Sequence, residues 1–378
     1  MFKQYVKKKL ARYLKPVFVE IMKTGDWGDF NDRQPTIALK VERLSKMMRH
    51  VVATPIDLVR NGDFFVYRYT EDLGYQQTPS EARGQKPRGV DVPISPSDPT
   101  LCLNFYEKEF LKEPPSHISY LKLVGAHLWC NDLDFNFVEV GSKEGLESIY
   151  MADFIRRCGM NGMVFAFEPA MCFPLLRATV HINKMADRII TENMAVGKTD
   201  SYTVMSLPVG HTEGGSAQIF DSSHADFFYR VVPICRLDTY FSAKGESESY
   251  LVKIDVEGFD ADVIYGLDGL IENQVPALAF EYTMHVMRGN GINPADALLY
   301  LYKKGFSLFN CWHLPDGPEK PEAACLEELH PENETALNAF FKKVCGHRCE
   351  QTDILAISRN IPNYDILISK LEKMANRR

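Results

Sequence analysis

The chain changes rhythm near residue 134. Beyond it, short apolar runs ending in an acid alternate with longer stretches in which apolar residues recur every three to four positions. The first pattern suits strands buried on both faces, and the second suits the helices that cover them. Strands are therefore expected at 135–140, 163–168, 189–195, 250–255 and 277–282, with helices near 145–158, 170–184 and 259–272. Gly305-Phe-Ser-Leu-Phe-Asn-Cys-Trp312 and Asp353-Ile-Leu-Ala-Ile-Ser358 read as two further strands. Such alternation implies an α/β domain, a largely parallel sheet with helices on both faces. The piece 198–240, with Gly210, Gly214 and Gly215, reads as a small excursion after the third strand. The charged, Pro-containing stretch 315–350 reads as an insertion over the substrate mouth.

Upstream, the period is helical over 1–23 and again over 36–53, where Ile37, Val41, Leu44, Met47, Met48 and Val51 fall on one face. A strand is expected at 63–69. A Pro-, Gly-, Ser- and Arg-rich stretch at 76–99 reads as a long loop, and Pro114-Pro115 as another breaker. The predicted organisation is a mainly helical N-terminal region of unknown role over 1–110, followed by the α/β domain over 111–378.

Composition narrows the function classes. The 378 residues carry a net charge of −7, which argues against a general nucleic-acid binder. Nine cysteines in no regular framework fit a reducing, cytoplasmic setting, and Cys345-Gly-His-Arg-Cys349 matches no standard zinc spacing. No apolar run approaches the length of a membrane span. Residues 2–18 place Phe2, Val6, Leu10, Tyr13, Leu14 and Val17 against Lys3, Lys7, Lys8, Lys9, Arg12 and Lys15. That is either a helix docked on the protein body or one making weak contact with an anionic membrane surface.

The chemistry concentrates at strand ends. In Asp134-Phe-Asn-Phe-Val-Glu-Val-Gly-Ser-Lys-Glu-Gly145 a strand passes into a helix through Glu139, Gly141, Ser142 and Gly145, where glycines permit a tight turn and close ligand approach. Val164-Phe-Ala-Phe-Glu-Pro169 ends the next strand in Glu168 and Pro169. An acid about 20 residues beyond such a turn suits a ribose diol. A dinucleotide fingerprint would place glycine where Lys143 stands, so a pyrophosphate is disfavoured there. S-adenosylmethionine has a ribose and no phosphate, and its ammonium and sulfonium could face Glu139.

These elements, with Asn193-Met-Ala-Val-Gly197, Gly214-Gly-Ser216, Leu237-Asp238 and Lys253-Ile-Asp-Val-Glu-Gly258, resemble the FkbM-type S-adenosylmethionine-dependent methyltransferases. Gly266, Pro276 and Ala279-Phe-Glu281 extend the resemblance, which covers about residues 134–360. Where the family has Asp and then Gly-Ala-Asn, this chain has Glu139 and Gly141-Ser-Lys143. The resemblance implies a class I, Rossmann-like sheet of seven strands closed by an antiparallel pair. It also implies S-adenosylmethionine as cofactor and methyl transfer to a hydroxyl of a small molecule or carbohydrate.

Ligands of open α/β sheets bind beyond the carboxyl ends of the strands. Glu139, Glu168, Ala195, Asp255, Glu257 and Glu281 fall at or just past such ends. Glu139, Gly141, Ser142, Gly145, Glu168, Pro169 and Ala195 are the candidate cofactor-binding residues. Glu168 has an alternative as a satisfied cap carboxylate. Asp255, Glu257 and His285 are the candidate catalytic residues, since an alcohol must lose a proton to a positioned base. Asp255 and Glu257 could instead cap the following helix, and His285 could be an ordinary surface histidine. Lys253 either orients a carboxylate or is a buried ion-pair partner. Trp312 and His313 are candidates for the acceptor pocket, and no metal-ligand set stands out. Two other readings stay open: a methyltransferase fold retained as a binding or scaffold module, and a nicotinamide-dependent dehydrogenase, which Lys143 disfavours.

Overall fold

In a computed structural model the described residues are 56–61, 64–69, 117–208, 218–219, 227–243, 249–312, 324–346 and 350–375. All fall within the compact unit Pro55–Arg378. The helices expected at 1–23 and 36–53, the loop at 76–99, the boundary at 110/111 and His313 lie outside them. The strand expected at 63–69 is present as β2 (Phe64–Tyr69), in an antiparallel hairpin with β1 (Ile56–Asn61).

From α1 (His117–Trp129) onward the strand–helix rhythm is realised closely. β3 (Phe135–Val140), α2 (Leu146–Arg157), β4 (Val164–Phe167), α3 (Phe173–Ile182) and β5 (Ile189–Glu192) come first. The excursion follows as β6 (Ala195–Val196), β7 (Ser201–Pro208), β8 (Gln218–Ile219) and β9 (Phe227–Cys235). Then come α4 (Leu237–Ser242), β10 (Ser249–Ile254), α5 (Asp260–Tyr265), β11 (Ala277–Thr283), α6 (Met284–Gly289) and α7 (Pro294–Lys303). β12 (Phe306–Trp312), β13 (Ala324–Leu329), α8 (Glu334–Gly346), β14 (Gln351–Ser358) and α9 (Tyr364–Ala375) complete the order.

The main sheet runs β13-β12-β14-β11-β10-β3-β4-β5. β5, β4, β3, β10 and β11 are mutually parallel, and β14 is antiparallel to both β11 and β12. The sheet is mixed and mainly parallel, with the expected closing pair. Among the described residues it has eight strands and not seven, because part of the 315–350 insertion forms β13, antiparallel to β12 at the edge. That segment therefore extends the sheet, and among its described residues Phe340 of α8 packs on Tyr282 and the return at Glu350–Gln351 meets the carboxyl end of β11. The excursion is larger than expected, a separate four-stranded sheet in the order β6-β9-β7-β8.

Side-chain alternation divides the core into two layers. Phe135 and Phe137 of β3 pack with α1, α2 and α9, whereas Val138 and Val140 pack with α4, α5, α7 and α8. Glu139, Lys253, Glu281 and Asp353 share the parity of the first layer, so that face becomes polar at the carboxyl ends. The helix expected over 259–272 is regular only to Tyr265 and ends in turns. The seven described cysteines are free. Among the described residues no helix is long and apolar enough to cross a membrane.

Candidate functional site

The strand order reverses between β3 and β10, and the glycine turn lies at that switch. Gly141 (φ 84°) brings the exit of β3 against that of β10. Asp255 N–H donates to the Val140 carbonyl at 2.9 Å, and a Cβ on Gly141 would stand 1.9 Å from the Asp255 carbonyl oxygen. Gly145 (φ 85°) caps α2, and a Cβ there would meet Leu176 Cδ1 at 2.4 Å. Both glycines are thus required by the protein's own packing, whereas the sequence suggested room for a ligand. Buried Ser142 donates its hydroxyl to the Glu139 carbonyl at 3.1 Å.

Between the glycines, Lys143 adopts φ 49° and turns its N–H onto Glu168 Oε2 at 2.8 Å. Ala170 N–H donates to the other oxygen at 2.6 Å. Glu168 is 4% exposed, and burial raises its pKa against the pull of these donors. The carboxylate therefore ties the glycine turn to the turn after β4, through Pro169. The Cys172 thiol is a third donor, and a carboxylate group offers about four acceptor sites, so acceptor capacity is left over for a diol.

Beneath this turn is a buried ionic network. Lys253 Nζ lies 2.9 Å from Asp255 Oδ2, 3.0 Å from Glu147 Oε2 and 4.0 Å from Glu139 Oε1. Glu147 Oε1 is 2.7 Å from His117 Nε2, and His117 Nδ1 is 3.4 Å from Asp353 Oδ2, which also accepts from the Trp312 indole. Burial pushes Lys253 and His117 toward neutrality. The surrounding carboxylates outweigh it, holding Lys253 well above its ordinary value and His117 at about 10. Burial would likewise raise Glu147, but Lys253 and His117 pull it well below the usual range. Glu139, expected to face a cofactor cation, is 2% exposed and accepts the Ser148 hydroxyl. Burial raises it to about 8, with Lys253 opposing.

Three carboxylates converge above the network. Oxygens of Asp255, Glu257 and Glu281 lie within 4.8 Å of one another. Burial, and then repulsion from Asp255 and Glu257, raises Glu281 to about 9. Glu281 accepts from the Gln351 amide and, at 3.3 Å, from Thr283 Oγ1. A proton on Glu281 relieves the crowding, and a divalent cation bound to the three oxygens would relieve it equally. α5 has no side-chain cap, so Asp255 and Glu257 do not serve as caps. Glu257 itself sits at φ 53°, an uncommon conformation for a side chain of this size.

Other sequence candidates fall elsewhere. Ala195 does not extend β5. It pairs with Ile234 in the smaller sheet, because the main-sheet strand stops at Glu192. His285 is exposed on α6 and is not one of the three clustered carboxylate-bearing positions. Trp312 spends its indole N–H on Asp353. Sequence reasoning missed His117, Glu147, Asp353 and Gln351, and also Arg230 near Glu168, while Asn193 was quoted within a motif and given no site role. Only Glu147, in the first turn of α2, carried a local signal.

Residues 138–308 match the family model of the methyltransferase FkbM domain. No curated protein matches the chain. Solved structures similar to it include a methyltransferase FkbM from Methylobacillus flagellatus KT, at 13% identity and TM-score 0.27 over 50% of this chain and 51% of that one. The chain thus spans about half the length of that relative. A putative O-methyltransferase from Klebsiella pneumoniae is similar at 10% identity and TM-score 0.32, over 68% of this chain and 89% of that one. An O-methyltransferase from Bacillus cereus in complex with SAH is similar at 12% and 0.33, over 71% and 94%.

Proposed function

We propose that the chain is an S-adenosylmethionine-dependent O-methyltransferase acting on a hydroxyl of a small molecule or sugar. The observation that carries this reading is convergence. The glycine turn, Glu168 and the Asp255–Glu257–Glu281 cluster meet at the carboxyl ends of adjacent strands, where the strand order reverses. The donor set suits the cofactor. Glu168 keeps acceptor capacity for a ribose diol, and Asp255 and Glu257 supply negative charge toward a cation. When bound, S-adenosylmethionine supplies an electrophilic methyl group on a positively charged sulfur.

The protein's own part is alignment and proton handling. Asp255 is 38% exposed at the rim while its oxygen is held by buried Lys253, which fixes its direction. It is the residue we assign as base for the acceptor hydroxyl, with Glu257 beside it. Glu281, protonated at neutral pH, can donate a hydrogen bond at the same place. Orienting acceptor and donor for in-line displacement supplies much of the rate in such a reaction.

Calorimetry tests the reading. The chain is expected to bind S-adenosylmethionine, and Glu168→Ala to weaken that binding at least about tenfold, or about 1.4 kcal/mol. No binding at millimolar cofactor would replace the enzyme by a scaffold that keeps the fold. Unchanged affinity in Glu168→Ala would remove Glu168 from the site.

A further inference from the structure

The smaller sheet reaches the turn that carries Glu168 by two side chains facing each other across one strand pair. Met205 of β7 and Arg230 of β9 are directly opposite in the antiparallel register. Met205 packs against Ala170, Cys172 and Leu175, the apolar cluster immediately after that turn. Arg230 donates through Nη1 to the Ala170 carbonyl at 3.3 Å and through Nη2 to Asn193 Oδ1. Asn193 in turn donates its amide to the Glu168 carbonyl at 2.8 Å. The backbone carbonyls of Glu168 and Ala170 are therefore both held by one guanidinium, directly at Ala170 and through Asn193 at Glu168. Meanwhile the Glu168 side chain holds the Lys143 and Ala170 N–H groups.

A planar guanidinium with several fixed donors can bridge two acceptors in a way an ammonium cannot. The near side of this turn is held by backbone, with Glu168 N–H on the Glu192 carbonyl and Gly141 and Ser142 N–H on the Phe167 carbonyl, and the guanidinium holds its far side. We infer that Arg230, through Asn193, is a positioning residue for the cofactor: it fixes the Glu168 turn, and the four-stranded sheet thereby sets cofactor affinity. This rests on the assignment of Glu168 to the cofactor ribose. It gives the excursion between β5 and β10 a role in binding without placing any of its residues on the reacting atoms.

The test is calorimetric titration of the full chain with S-adenosylhomocysteine, with thermal melts as a folding control. Arg230→Met is expected to bind about tenfold more weakly, the loss of hydrogen bonds from one charged group. Asn193→Ala, a smaller change that cuts the same link, is expected to weaken binding in the same direction and serves if Arg230→Met does not fold. The decisive comparison is a double-mutant cycle. In a Glu168→Ala background, Arg230→Met should cost nothing further, because the group it positions is gone. Wild-type affinity in Arg230→Met or in Asn193→Ala, or losses that simply add with Glu168→Ala, would overturn the inference while leaving the cofactor assignment standing. Failure of the wild-type chain to bind S-adenosylhomocysteine would overturn both.

Discussion

Lys253 Nζ is 3.0 Å from Glu147 Oε2 and 2.9 Å from Asp255 Oδ2, so one buried ammonium links the first turn of α2 to the rim of the cleft. Removing it would leave Glu147 to His117 alone and take the nearby cation from Glu139, both in a low-dielectric layer. Lys253→Met is accordingly expected to lower stability by about 3–5 kcal/mol, the usual cost of breaking a buried pair from one side. Urea denaturation measures this, and a loss under about 1 kcal/mol would show that the network does not couple to folding.

The same network gives the fold an alkaline weakness. His117 holds its proton to about 10 in place of 6.5, so its stabilisation is complete below pH 6.5 and is lost as pH rises through 10. Glu139 and Glu281, raised to about 8 and about 9, act with the same sign, because the folded state keeps protons that the unfolded chain gives up above pH 4.5. Stability should fall steadily from pH 7 to pH 10. With the His117 side chain 22% exposed, its own share is about 1–2 kcal/mol after screening. Melts of wild type and His117→Gln check this: a flat wild-type profile, or an unchanged slope in the variant, would refute it.

Gly141→Ala and Gly159→Ala make a matched pair. Both glycines have positive φ, but a Cβ on Gly159 meets nothing within 4 Å, whereas one on Gly141 would stand 1.9 Å from the Asp255 carbonyl oxygen. Gly159→Ala should cost about 1 kcal/mol from backbone conformation alone. Gly141→Ala should cost at least about 2 kcal/mol more, since neither strand exit can retreat cheaply. Equal costs in denaturant titrations would mean that the two exits are not packed as described.

Asp255→Asn keeps the shape of the cleft and removes the assigned base. Its affinity for S-adenosylhomocysteine should stay within about twofold, while methyl transfer to an acceptor falls by about 10²–10⁴. Wild-type turnover would reassign the base, with Glu257 next in line.

The parallel strands were legible because each is a compact run buried on both faces. β3 was bounded correctly at 135–140, and the exits carrying Glu168, Asp255 and Glu281 followed from it. β13 was not legible: Ala324-Cys-Leu-Glu-Glu-Leu329 carries two glutamates, as an edge strand can, inside a charged segment. Ala195 was misplaced because 189–195 reads as one run, although the chain leaves the sheet after Glu192 and pairs again elsewhere. The ionic network escaped notice for another reason. His117 and Asp353 are 236 positions apart, and no local pattern reports a contact made only by the closing of the sheet.

That closing has a consequence for synthesis. β14 slots between β11 and β12, both of which leave the ribosome before it. Until residues 351–358 emerge, two neighbouring strands must wait with unsatisfied edges and His117 without Asp353. A nascent chain paused in that interval is the species most exposed to wrong pairing, and the one a chaperone would have most reason to hold.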